Sequence, residues 1–87
     1  MTLPTLFDIT TLAGHHADVS RAFERGAAVQ MNGAGVERVD AAAVQLLVAA
    51  TLYARSRGLV FEIQTPSTAL IDAAVVLGVG SVLGFAQ

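Results

Sequence analysis

Hydrophobic and polar positions change period several times along the chain. Between residues 59 and 64, Leu59, Phe61 and Ile63 alternate with Val60, Glu62 and Gln64, the period of two expected of a strand with one wetter face. Between residues 15 and 25 the spacing is helical: Val19, Ala22 and Phe23 recur among Asp18, Arg21, Glu24 and Arg25, and Gly26 closes the run. Residues 3–9 combine β-forming side chains with Pro4, which fits a short strand near a sheet edge, where a missing N–H does no harm. Gly14 then interrupts the pattern. Ala28, Val29 and Met31 mark residues 27–32 as a buried strand, and Asn32, Gly33, Ala34 and Gly35 supply a turn with residues that accept positive φ.

The longest periodic stretch is VERVDAAAVQLLVAATLYARSRG, residues 36–58. Asp40 suits an N-cap, because its carboxylate can accept from the free amides of a first helical turn and faces the positive end of the helix dipole. The helix is predicted over residues 41–57. Leu46, Leu47, Ala50 and Ala54 face a sheet, Arg55 and Arg57 stand at the negative end of the dipole, and Gly58 takes the position just past the end. From residue 41 to 52 only Gln45 and Thr51 are polar, so the apolar band is wider than one sheet contact requires, which leaves part of it for another protein. Thr65 and Pro66 end the following strand. Ser67 suits the cap of a last helix with Leu70, Ala73, Ala74 and Leu77 as its apolar stripe, and Gly78 terminates it.

Strands alternating with helices favour crossover connections. The expected fold class is therefore α/β, a small mainly parallel or mixed sheet of three to four strands with helices packed on it, in one domain over residues 1–87. The apolar tail at 79–85 is the candidate fourth strand.

Composition narrows the function. At 87 residues and 54% hydrophobic, with 14% charged, the chain is a small body that has trouble hiding all its apolar surface, and some of that surface is expected to meet a partner. Five Lys and Arg against seven Asp and Glu, for a net charge of -2, form no basic stripe that could neutralise a run of phosphates, so nucleic acid is not an expected partner. Without cysteine there is neither a disulfide framework nor a thiolate nucleophile, which suits the cytoplasm. The opening MTLPTLFDITTL lacks the basic region and apolar core of a secretory signal. Residues 73–87 are uncharged but broken by Gly78, Gly80 and Gly84, and they fall short of the roughly 20 apolar residues that span a bilayer, so no direct membrane insertion is expected.

Candidate chemistry is sparse. His15 and His16 lack a third ligand at zinc-like spacing, and no metal is assigned. Gly33 and Gly35 in NGAG lack the spacing and the following basic residue of a phosphate-cradling loop. Asp8, Asp18, Asp40, Glu62 and Asp72 are scattered and form no recognisable catalytic set. Neither catalysis nor a cofactor is expected.

The blocks VERVDAAAVQLLVAA, RGLVFEI, PSTAL and VLGV, spread over residues 27–83, resemble the consecutive core blocks of the STAS family, the sulfate-transporter and anti-sigma-factor-antagonist modules. The spacing from Asp40 to Gly58, and on to Pro66-Ser67 and Leu77-Gly78, is similar to that family's. In its anti-sigma-factor antagonists, the Asp that enters the long helix is followed by Ser or Thr, and a partner kinase phosphorylates one of them. Here Ala41 and Ala42 stand at those phosphoacceptor positions and Ala43 where Gly is common. Without a hydroxyl the phospho-switch cannot operate at this loop.

The resemblance therefore implies a docking face without the switch, formed by the loop Val36, Glu37, Arg38, Val39 and Asp40 and by Ala41, Ala42, Ala43 and Gln45 on the first turns of the helix. The QLL sequence and the lost hydroxyl look most like small STAS proteins of bacterial chemotaxis clusters. The implied function is a non-enzymatic, protein-binding regulatory module of bacterial signal transduction. Its implied partner is an anti-sigma-factor-like kinase, a chemotaxis signalling protein or a transporter subunit, and a homodimer is compatible with the apolar surplus. The alternative is a STAS subunit of a phospholipid-transport ATPase complex, which usually retains Thr where this chain has Ala41; a small enzyme is the third reading.

Overall fold

The structure is a computed structural model that describes residues 1–85. Residues 86 and 87, included in the single-domain expectation, lie outside the described residues. In chain order the elements are β1 (Leu6–Phe7), α1 (Leu12–Glu24), β2 (Val29–Asn32), β3 (Arg38–Val39), α2 (Ala41–Arg57), β4 (Phe61–Gln64) and α3 (Thr68–Val76). The class is α/β, with three helices and two small parallel strand pairs among the described residues.

Local chemistry sets the helix ends. Asp40 is extended, with φ -101° and ψ 173°, and its carboxylate accepts from the Ala43 N–H; Ser67 does the same for α3 by accepting from the Leu70 N–H. Gly58, at φ 67°, lets the chain leave α2 in the left-handed region that an L side chain avoids. α1 begins three residues before the predicted start, at Leu12, and runs through Gly14. The position is exposed and open, so Gly14 adds only its poor helix propensity, about 1 kcal/mol.

The segment leading into β1 is the spine of the sheet. Thr2 forms a parallel bridge with Asn32, flanked by Leu3 N–H to Asn32 C=O and Asn32 N–H to Met1 C=O. Further along the same segment, Leu6 and Phe7 pair in parallel with Arg38 and Val39 on the other side. β2 in turn pairs in parallel with β4, from Val29 opposite Phe61 to Asn32 opposite Gln64. The lateral order is thus β4, β2, the leading segment with β1, and β3, laced by a bridge at the centre instead of one regular sheet of three to four strands. Residues 36–40, read as a loop, contain β3, and Val36, on the connection from β2, is buried.

One face of these strands is packed. Val29 and Met31 are buried and Phe61 and Ile63 half-buried, while Gln30, Asn32, Glu62 and Gln64 are exposed on the opposite face. α1 and α2 pack on each other and on β2 and β4, and α3 packs on β3 and α2. The core gathers Leu3, Phe7, Val36, Val44, Leu47 and Leu70. α1, α3 and the strands together absorb most of the wide apolar band of α2, and the polar Thr51 is buried with it, its hydroxyl donating to the Leu47 C=O at 2.8 Å. The tail at 79–85 is a set of turns that buries Leu83 and Phe85, not a fourth strand. Gly33 and Gly35 do not take positive φ. Gly33 is needed for closeness: a Cβ there would stand 3.0 Å from Leu70 Cδ2 and 3.3 Å from Pro66 Cα.

Candidate functional site

Because β1 and β3 are parallel neighbours, the turn after β1 and the start of α2 leave the sheet side by side. Asp40 ties them together. Its N–H donates to the Phe7 C=O at 3.3 Å, one carboxylate oxygen accepts from the Ala43 N–H at 2.8 Å, and the other accepts from the Ile9 N–H at 3.1 Å. Both oxygens are therefore used within the fold, and this aspartate orders the rim where β1 and β3 give way to α2.

The turn beside it is stiffened by its own short-range bonds. The Asp8 carboxylate accepts from the Thr10 hydroxyl and from the Thr10 N–H, and the Thr11 hydroxyl donates to the Leu6 and Asp8 carbonyls. The Thr10 hydroxyl, then the Thr10 N–H, hold the Asp8 carboxyl below its ordinary value, since both stabilise the charged form.

The residues expected from sequence at this face separate into three groups. Glu37, Arg38, Ala41 and Gln45 are exposed; Val39, Asp40 and Ala42 are half-buried. Val36, at 2% exposure, and Ala43, at 0%, belong to the core and offer a partner no surface, which corrects their inclusion. Ala43 faces inward because it lies one turn before Leu47 on the buried side of α2.

The structure adds residues that sequence reasoning missed. Leu6 is 50% exposed and Ile9 69% exposed, on the strand and turn that flank Asp40. Ala49 and Leu52 continue from Ala41 and Gln45 as an exposed stripe along α2. The helical spacing of that stripe is the signal that could have found it. A groove of about 370 Å³ between α1 and α2 borders this stripe, lined by Val19, Phe23, Leu46, Ala49 and Tyr53 among others.

At the far end of the groove the Phe23 ring stacks on Tyr53 at 5.3 Å and meets Phe61 edge-on at 6.2 Å. The Arg57 guanidinium lies 5.1 Å from the Tyr53 ring centre, so this residue has a packing role beyond the helix dipole. The His15 and Phe7 rings stand at 87° to each other with centroids 5.7 Å apart, and His16 lines the groove. Among the described residues no three His, Cys, Asp or Glu side chains come together as a metal-holding group, and no helix is long and apolar enough to cross a membrane. No protein-family model, curated protein or solved structure matches the chain.

Proposed function

We propose that the chain is a STAS-like, non-enzymatic protein-binding module of bacterial signal transduction, associated with chemotaxis clusters, that docks through the rim where β1 and β3 give way to α2. The observation that supports this reading is the open position of that rim. Arg38, Ala41 and Gln45 are exposed beside Leu6 and Ile9, and Asp40 fixes both sides of the junction in one geometry. An apolar patch held rigid and edged by polar groups loses little entropy on binding, which is what a protein interface favours. Ala41 and Ala42 leave the helix start without a hydroxyl, so the module binds constitutively at this rim and is not released by phosphorylation there.

The test immobilises the chain and its Ala42→Glu variant and compares what each retains from a bacterial lysate. Ala42 is half-buried at the first turn of α2, where a carboxylate suits the helix dipole but places charge in the docking rim. A kinase or chemoreceptor-array protein retained by the parent, with affinity at least about tenfold weaker for the variant, a loss of ~1.4 kcal/mol, supports the proposal. Equal affinities overturn the site, and recovery of a transport ATPase in place of signalling proteins favours the lipid-transport reading.

A further inference from the structure

β4 occupies one lateral end of the strand order, away from the rim at β3. Its bonds to β2 run through alternate residues: the Val29 N–H donates to the Val60 C=O and the Gly33 N–H to the Gln64 C=O, each at 2.9 Å. In a parallel ladder the residues between them point their backbone groups the other way, so Phe61 and Ile63 direct N–H and C=O to the outer edge. Among the described residues no strand pairs with that edge. At the opposite end of the order, β3 is only two residues long and α3 packs on it.

A cavity of about 290 Å³ lies beside β4. Phe61 and Ile63 from the packed face line it, and so do Glu62 and Gln64 from the open face. Val82 and Gly84 line it from the tail, and Arg55 from α2, its guanidinium engaged in donating to the Val82 C=O at 2.9 Å, leaves Glu62 as the charged side chain on the open face. Residues from both faces of a strand can border one space only if that space lies along the strand's edge.

We infer that this edge accepts an extended segment of another protein, added as a strand through the Phe61 and Ile63 backbone groups, with a Lys or Arg opposite Glu62. Strand addition satisfies the free backbone groups, and the side chain opposite Glu62 sets the choice of partner. A second copy of this chain is the wrong occupant. The longest antiparallel self-pairing puts Phe61 against Ile63 and therefore Glu62 against Glu62, and like charges directly opposite are destabilising. Centring the pair on Ile63 instead sets Thr65 against Phe61, and Thr65, at φ 49°, has already left the extended conformation; centring it on Phe61 sets Leu59 against Ile63, and the Leu59 N–H is already donated to the Ala54 C=O at 2.9 Å. Glu62 thus keeps copies apart while attracting a basic strand. The inference does not depend on the rim at α2.

The probes are two blocked heptapeptides of alternating threonine and valine, one with lysine and the other with glutamate at the centre, titrated into the ¹⁵N-labelled chain. The lysine peptide is expected to shift the amide signals of residues 61 and 63 with at least tenfold tighter binding than the glutamate peptide. Glu62→Lys, at an exposed position, should reverse that preference, and Glu62→Gln should raise self-association in sedimentation. Equal response to both peptides, shifts centred away from β4, or an unreversed preference in Glu62→Lys overturns the inference.

Discussion

Asp40 ties two elements together, because its two carboxylate oxygens accept from the Ala43 N–H on α2 and the Ile9 N–H on the turn after β1. Asp40→Ala should destabilise the chain by about 1–2 kcal/mol in urea unfolding, one lost cap plus one lost tie. Asp40→Asn keeps an acceptor oxygen and should recover part of that loss; equal losses would mean that charge, not acceptance, matters. Asp8 makes a prediction of the opposite kind, about pH. Its folded pKa is lowered by the Thr10 hydroxyl and then the Thr10 N–H, so its contribution is present above the unfolded value and lost as pH falls through the folded one. Thr10→Ala should move the Asp8 titration, followed by carboxyl ¹³C shifts, upward toward the ordinary aspartate range. The role of Asp40 as a cap was legible in the sequence; its second bond was not, since Ile9 is brought beside it only by the pairing of β1 with β3.

At the scale of elements, what sequence displays depends on length and period. α2 was legible end to end, because Asp40 and Gly58 bracket a long run with unambiguous caps. β4 showed its alternation, and α3 its Ser67 cap. β3 did not, since two residues cannot display a period of two. Gly14 read as a breaker and hid the first turn of α1, although an exposed glycine inside a helix is tolerated where its flanks carry the packing. The turn after β2 was assigned the right residues for the wrong reason: the close approach of Leu70 and Pro66, not positive φ, demands Gly33. Gly33→Ala should therefore overpack the β2–α3 junction and cost about 1–3 kcal/mol. Gly35→Ala, with nothing within 4 Å of the added methyl, should be close to neutral, and thermal melts of the two variants measure the contrast. The docking face was half legible for a related reason. The helix start announced itself, but which of three successive alanines faces outward depends on how α2 is rotated against its neighbours.

For the whole molecule, the core is a common property of all three helices and the leading segment, and Leu47, at 1% exposure, is near its centre. Leu47→Asp should unfold the chain: an unpaired buried carboxylate costs several kcal/mol by general estimates, against a total stability on the order of 5–15 kcal/mol. Loss of the cooperative melt in circular dichroism is the expected result, and a normal melt would contradict this core. The breadth of the α2 apolar band, read from sequence as surplus for a partner, is largely explained by this shared packing, because periodicity reveals that a face is apolar but not which neighbour covers it. The all-parallel pairing has a consequence for how the chain reaches this state. Leu6 finds Arg38, and Val29 finds Phe61, only across roughly thirty intervening residues, so no hairpin can nucleate the ladder and loop-closure entropy must be met before any strand is rewarded. Helix formation and apolar collapse have to precede strand pairing, and until they do, both margins of the nascent ladder lie open to misassembly with neighbouring chains.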